Sequence, residues 1–423
     1  MCGLAAIFSY GRARRPADAG ELARINAHMI PRGPDGEGVW LAEDALTGLA
    51  HRRLAIIDPG PGGAQPMRLD GDDGSPRLVI TYNGEIYNFR ELRQELIDAG
   101  RQLRTNSDTE VLLHLYDVHG ADMMLRLRGM FAFAIHDVAA RSLFLARDPF
   151  GIKPLYYADD GETIRVASQV KALRAGGAIA DAPDPAGHAG FFLLGYVPEP
   201  HTMYRAIKSL PAGTSLRIEA GGQPRIQQYF RLQDQYAGRQ AVSAPGEIAE
   251  RLRAALTDSI RHHLVADVPV GVFLSAGLDS ATITALAAEV AGASLDTMTL
   301  RFDEMAGTPG DEAPLAEQIA GHYQTRHQTR SVSGLEFQDH IDKVLTAMDQ
   351  PSVDGVNTYF VAKEAKALGL KVALSGVGGD ELFGGYQSFQ QIPAYVGALG
   401  WLPGYRAIGA ALRVLSAPVI GRL

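Results

Sequence analysis

The chain has 423 residues, enough for two or three domains, and an ordinary globular composition of 46% hydrophobic and 21% charged residues. Its 40 basic and 48 acidic residues leave a net charge of −8, which gives no general reason to expect nucleic acid or an anionic membrane as partner. The one cysteine, Cys2, excludes an internal disulfide, and no stretch approaches the ~20 uninterrupted apolar residues of a spanning helix.

The first residues, MCGLAAIFSYGRARR, run apolar and then basic, the reverse of a secretory signal, so the chain reads as cytoplasmic. The basic cluster at residues 12–15 reads as a solvated turn. Strand-like runs at residues 4–8, 38–41, 78–82, 130–136 and 143–147 are separated by Gly, Pro and Asp clusters at 58–63 and 70–75. Two helical patterns interrupt them. Residues 89–99 put Leu92, Leu96 and Ile97 on one face, and residues 108–118 group Val111, Leu112 and Leu115. Strands with inserted helices predict an α+β domain over residues 1–215. Residues 176–187 are small and flexible in composition, strand character resumes at 213–218, and the polar residues 233–245 read as a linker. The spacing then predicts a helix at 248–262, a strand at 268–274, a helix at 280–290, a strand at 295–302, helices at 312–323, 337–348 and 358–368, and a third strand at 371–374. That order predicts a parallel sheet covered on both faces over residues 235–423. The apolar tail from 389 is broken by Pro393, Pro403 and Pro418.

A thiolate is a strong nucleophile, but a free thiol has a pKa of about 8.5 and needs a base. At the extreme N-terminus the nearest base is the chain's own α-amine, and removal of Met1 would place it on Cys2 itself. Acyl transfer also needs donors for an oxyanion. Asn83-Gly84 at a strand end would set a side-chain amide beside a backbone N–H, although a hairpin turn explains the pair as well. An amino-acid substrate needs a cation for its carboxylate and an anion for its amine; Arg53 and Asp108 are candidates. Helix capping at Ser107-Asp108-Thr109-Glu110 explains Asp108 about as well.

Six motifs follow Met1-Cys2-Gly3 in a single order: Arg32-Gly33-Pro34-Asp35, the run from His51 to Asp58, Gln65-Pro66-Met67, Asn83-Gly84-Glu85-Ile86-Tyr87-Asn88, Ser107-Asp108-Thr109-Glu110 and the run from Arg147 to Pro154. Together they resemble the glutaminase domain of asparagine synthetases and other class II glutamine amidotransferases. The resemblance implies an N-terminal-nucleophile domain, an αββα sandwich, with Cys2 as nucleophile and Asn83 and the Gly84 backbone as oxyanion hole. Arg53 would hold the glutamine carboxylate, Asp108 with Glu85 the amino end, and the backbone around Ile56 and Ile57 would line the pocket.

Ser275-Ala276-Gly277-Leu278-Asp279-Ser280 follows a buried-type strand and opens a helix, the geometry of an anion site. It is not a P-loop, because no lysine follows. Asp279 in such a loop points to Mg²⁺ between carboxylate and phosphate. Ser375-Gly376-Val377-Gly378-Gly379-Asp380-Glu381 supplies a second turn and carboxylate after the third strand. A tight strand–helix turn is the bland alternative for either loop alone. The pair resembles the ATP pyrophosphatase (adenine nucleotide α-hydrolase-like) domain of asparagine synthetase. That implies pyrophosphate at residues 275–280, Mg²⁺ at Asp279 and Asp380, and AMP against Leu300, Ser375 and Gly376. The implied reaction is adenylation of a carboxylate, aspartate by family default, and its amination by ammonia from glutamine. A homodimer is one option; neither nucleic acid nor membrane is expected as partner.

Three positions depart from the family. Ala276 replaces a glycine, tolerable if its φ is negative. Val377 stands where relatives carry an acidic residue, and Gln350 where they usually have Glu. Val377 cannot act as acid or base, so either Glu381, Asp349 or Asp354 does that work, or the acceptor is not aspartate. The synthetase domain also looks incomplete, since no lysine follows Lys371; a truncated chain, or one completed by another chain, is the expectation. The remaining alternatives are a glutaminase with an impaired synthetase half and a non-catalytic assembly partner.

Overall fold

A computed structural model describes residues 1–237, 244–292 and 295–399. The middle of the expected linker and the tail from residue 400 lie outside the described residues. The chain forms two compact units: Met1–Pro269 with Asp342–Val356, and Val270–Ile341 with the described residues from Asn357. No helix among the described residues is long and apolar enough to cross a membrane.

In the first unit the elements are β1 Gly3–Ser9, α1 Ala19–His28, β2 Gly36–Leu41, β3 Thr47–Arg53, β4 Met67–Asp70, β5 Pro76–Ile86, α2 Phe89–Asp98, α3 Asp108–His119, β6 Gly129–Asp137, β7 Ser142–Arg147, β8 Tyr156–Asp159, β9 Thr163–Ala167, α4 Val170–Ala175, α5 Pro185–Leu194, β10 Lys208–Ser209, β11 Thr214–Glu219, β12 Arg225–Gln228, α6 Leu232–Ala237 and α7 Pro245–His263. Two six-stranded sheets result, ordered β10-β8-β9-β1-β3-β2 and β12-β11-β7-β6-β5-β4.

Strand side chains alternate between faces, so a strand buried on both sides feeds two cores. In β1, Leu4, Ala6 and Phe8 join Val79, Ala132, Ala134, Leu143 and Leu145 between the two sheets. Ala5 and Ile7 meet Leu22, Ile25 and Met29 of α1 and Leu173 of α4 on the other side. In β6, Phe131, Phe133 and Ile135 turn outward onto Leu92 and Leu96 of α2 and Leu112 and Leu115 of α3. Helix, sheet, sheet, helix is the αββα sandwich. The predicted linker is in part helix, since α6 begins at Leu232.

From Val270 the elements are β13 Val270–Phe273, α8 Leu278–Ala291, β14 Asp296–Phe302, α9 Ala313–His322, β15 Arg326–Val332, α10 Gly334–Ala347, α11 Gly355–Ala367, β16 Val372–Leu374, α12 Gly379–Phe383 and α13 Ser388–Leu399. The second unit's sheet is parallel, in the order β15-β14-β13-β16. Among the described residues its strand count exceeds the expectation by one. β15 reads RHQTRSV and carries no apolar run, because it lies at the sheet edge with one flank open to solvent. The chain steps outward from β13 to β15 and then returns to β16 on the other side of β13. The loops after β13 and β16 are therefore neighbours at the point where strand order reverses, the usual place for a ligand in an open α/β sheet.

Phe133 is fully buried and touches Phe131 and Phe144 in the helix-side core. Phe133→Ala should cost about 3–5 kcal/mol of stability. Urea unfolding should show it as a lower midpoint; an unchanged midpoint contradicts this packing.

Candidate active site

The register of β1 on β3 sets Gly3 opposite Arg52, which brings Cys2 to the end of β3. There the Leu54 N–H donates to Cys2 Sγ at 3.3 Å, and Arg32 Nε donates to the Cys2 carbonyl at 2.9 Å. A cavity opens on the thiol. Every residue expected at the glutamine site lines it: Cys2, Arg53, Ile56, Ile57, Asn83, Gly84, Glu85 and Asp108.

The cavity's far wall is β5. Tyr82, Asn83, Gly84 and Glu85 do not end a strand, and no hairpin forms there; β5 runs to Ile86, paired with β6 from Leu78 onward. Even-numbered side chains Leu78, Ile80, Tyr82 and Ile86 enter the helix-side core. Odd-numbered ones face the other sheet, as Thr81 shows by donating to the β3 carbonyl of Ala50. Alternation thus turns Asn83 and Glu85 toward Cys2.

On its other edge β5 pairs with β4 only as far as Ile80. Beyond that point the backbone N–H groups of Tyr82, Gly84 and Ile86 project from the open edge. Gln65 Oε1 accepts the first at 2.7 Å and Asp108 Oδ2 the third at 3.1 Å. The Gly84 N–H lies between these two. A side chain at Gly84 would strike the Met130 carbonyl and come within 2.7 Å of Phe131 Cα. Asn83 is 1% exposed, and its Nδ2 has no hydrogen-bond partner. A buried amide donor without an acceptor is rare and costly. Here it lines a cavity beside a thiol, where a developing oxyanion would satisfy it.

Charge in the cavity is held in tension. Burial pushes the Cys2 thiol up, while the Leu54 N–H, the terminal amine and Lys153 pull it down. Burial lowers the Met1 amine to about 5, so it is a free base at neutral pH. Burial also raises Glu85 to about 7 and Asp108 to about 6, the latter despite bonds from the Ile86 N–H and the Tyr82 hydroxyl. The helix cap of α3 is Ser107, whose hydroxyl accepts from the Thr109 N–H, so capping does not account for Asp108. Arg53 spends three of its donors on the carbonyls of Ile57, Asp58 and Gly60, shaping the pocket loop. Gln65, Tyr82 and Lys153 also line the cavity and received no role from the sequence, although Gln65 and Lys153 fall inside its motifs.

In the second unit Ser275 and Ser280 bond to each other across the first loop at 2.8 Å, and α8 starts at Leu278. Ala276 does not adopt a positive φ, so its methyl group is accommodated. The second loop packs against the first. A Cβ at Gly376 would lie 3.0 Å from Asp279 Cβ and from Ser280 N, and one at Gly379 would meet the Asp279 carboxylate. The Tyr386 hydroxyl donates to Glu381 and feels the charges of Asp380 and Asp279. The Glu381 bond to its hydroxyl, at 2.8 Å, and then the charges of Asp380 and Asp279 hold that hydroxyl above the usual tyrosine range. Among the described residues no set of three metal-type ligands forms. Asp279 and Asp380, one on each turn, are donors of the type Mg²⁺ takes, since it accepts one or two carboxylates and completes its shell with phosphate and water. Leu300 is half-buried on β14, and Ser375 and Gly376 follow the end of β16.

Val377 is 86% exposed. Of the three acids that could replace it, Asp349 is already engaged in the first unit, accepting the Val170 and Lys171 N–H groups at the start of α4. Asp354 also belongs to the first unit, and only Glu381 shares the second with Val377. Gln350 accepts from the Met203 N–H, likewise within the first unit.

Residues 1–230 match the glutamine amidotransferase domain family, and residues 251–421 match the asparagine synthase family. The chain is 35% identical to asparagine synthetase (glutamine-hydrolyzing) 1 of Bacillus subtilis, over 92% of this chain and 60% of that one. It is 34% identical to asparagine synthetase B of Escherichia coli, over 88% of this chain and 62% of that one. It is 32% identical to a Methanocaldococcus jannaschii protein provisionally named asparagine synthetase (glutamine-hydrolyzing) 2, over 92% of this chain and 76% of that one. The chain thus spans about three fifths of the length of the first two.

Folding raises the Asp108 pKa from 3.8 to about 6, so the folded state disfavours the ionised form. The cost is absent below pH 4, grows between pH 4 and 6, and is complete above. Asp108→Asn should therefore stabilise the protein by about 1–3 kcal/mol at pH 8 and leave it unchanged near pH 4. Thermal melts at both pH values test this; an equal or lower midpoint at pH 8 contradicts it.

Proposed function

The chain belongs to the glutamine-hydrolysing asparagine synthetase family of amidotransferases, and on that premise we propose that Cys2 frees ammonia from glutamine while the second unit activates a carboxylate with ATP to receive it. One observation carries the first half: the thiol of Cys2 and the partnerless amide of Asn83 share a cavity.

In the proposed reaction the glutamine carboxylate meets Arg53, and its ammonium sits between Asp108 and Glu85. Those two carboxylates are raised by burial, which a cationic ligand would relieve. Cys2 Sγ attacks the amide carbon. The α-amine takes the thiol proton and returns it to the leaving nitrogen, a role that removal of Met1 would assign to Cys2 itself. The oxyanion accepts from Asn83 Nδ2 and the Gly84 N–H. Ammonia departs, and water releases glutamate from the thioester. A lone cysteine that must stay reduced suits the cytoplasm.

In the second unit, residues 275–280 and the adjacent turn at 375–380 would take ATP, with pyrophosphate at the start of α8 and AMP toward Leu300, Ser375 and Gly376. Mg²⁺ at Asp279 and Asp380 would neutralise phosphate charge. An acceptor carboxylate would become an acyl-adenylate, and ammonia would displace AMP after loss of pyrophosphate. Aspartate is the family's acceptor. A second reading follows from Val377, whose exposed apolar side chain replaces an acid on the loop: a carboxylate other than aspartate, or a glutaminase with an impaired synthetase half.

Protein given glutamine, ATP, Mg²⁺ and aspartate should release asparagine and pyrophosphate together. Glutamate alone supports the impaired or non-aspartate reading, and no glutamate at all contradicts the proposal. Cys2→Ala should abolish glutamate release. Asn83→Ala should lower kcat by about 10²–10³-fold with little change in KM; a change in KM alone would contradict the oxyanion role.

A further inference from the structure

Lys153 lines the Cys2 cavity, and the outlined hydrolysis gives it no part. It is 6% exposed. An ammonium is a compact, strongly hydrated charge, so burying it is costly unless the charge is used. The turn that places it is fixed from several directions. Asp148, fully buried, accepts from the N–H groups of Phe131, Phe150, Ile152 and Lys153. Arg147 Nε donates to the Lys153 carbonyl at 2.8 Å, and Gly151 takes a φ of +66° that favours glycine. Both backbone polar groups of Lys153 are thus clamped, and its side chain is left to the cavity.

The charges facing Cys2 show why a cation is needed. Glu85 from β5 and Asp108 from α3 oppose a thiolate. The Met1 amine is neutral at pH 7, and the Tyr82 hydroxyl is tied to Asp108. Arg32 and Arg53 are committed to backbone carbonyls of residue 2 and of the 57–60 loop. Of the cations lining the cavity, Lys153 is the one whose charged group donates to no backbone carbonyl among the described residues; the strongest charge acting on it is that of Glu85, a carboxyl that burial raises to about 7.

We infer that Lys153 is a positioning residue of the hydrolytic site, its ammonium being the fixed positive charge against which the Cys2 thiolate forms. The inference rests on Cys2 as the nucleophile. The thiol proton passes to the α-amine; burial lowers the Lys153 pKa while the charges of Glu85, Cys2 and Asp148 raise it, and Lys153 contributes charge alone. Lysine suits this role better than arginine, because a point charge on a flexible stem needs no planar partner.

The chain's single cysteine makes the test direct, since any alkylation of thiol reports Cys2. Iodoacetamide rates are measured against pH for the full chain, Lys153→Gln and Lys153→Arg, each checked by thermal melt. Lys153→Gln should raise the midpoint by about one pH unit and slow alkylation at pH 7 by about tenfold, and Lys153→Arg should restore most of it. A Lys153→Gln protein that is folded and keeps the parent midpoint overturns the inference. Should Lys153→Gln not fold, Lys153→Met takes its place. A folded Lys153→Met whose midpoint lies about one pH unit above the parent's supports the inference, and one that keeps the parent midpoint overturns it. Glutamate release is read separately. A parent that alkylates as expected but releases no glutamate removes the glutaminase reading while leaving the charge role of Lys153 intact.

Discussion

The first unit's site depends on a strand that is paired along one edge and half-abandoned along the other. β4 leaves β5 at Ile80, and from there the edge must satisfy its N–H groups by other means. Gln65 and Asp108 each take one, and each also shapes the cavity. The donor between them belongs to Gly84, where the close approach of β6 tolerates no side chain. Asn83 adds a second donor on the same strand. A fully paired strand would have consumed the backbone donor, and a loop would not have held the two in place. A sheet edge therefore becomes a rigid pair of hydrogen-bond donors beside a thiol fixed by the neighbouring sheet.

Electrostatics follow the same pattern of deferred satisfaction. Glu85 and Asp108 are buried beyond what their own partners compensate, and Lys153 is buried with the charge of Glu85 acting on it but too little to offset its burial. Each is a cost to the empty protein that a zwitterionic ligand and a thiolate would offset. The second unit repeats the device with different parts: two turns at neighbouring strand ends touch through glycines and gather carboxylates where phosphate would bind.

Much of this was legible in the sequence where local pattern and tertiary need coincide. The runs around Leu4, Phe133 and Leu145 announce strands because they are buried on both faces, and Leu92, Leu96 and Leu112 announce helices through their spacing. The order of motifs gathered Cys2, Arg53, Asn83, Gly84, Glu85 and Asp108, which the fold then brought to one cavity. What the pattern hid was set by long-range neighbours. β15 is polar because it is an edge. Asn83-Gly84 looks like a turn because its pairing partner, β6, is more than forty residues away in sequence. Asp349 looks like a spare acid, since only the fold shows α4 starting on it. Lys153 sits in a motif whose turn chemistry is visible, but the destination of its side chain is not.

The central claim is that Cys2 is a nucleophile within a glutamine-shaped cavity. Intact-mass analysis after treatment with a glutamine analogue carrying an electrophilic ketone in place of the amide tests it most directly, and also shows whether Met1 is retained. The account predicts one adduct, mapped to Cys2, whose formation slows with added glutamine and fails in Asp108→Asn. An adduct elsewhere, or one on Cys2 that glutamine does not slow, would contradict it.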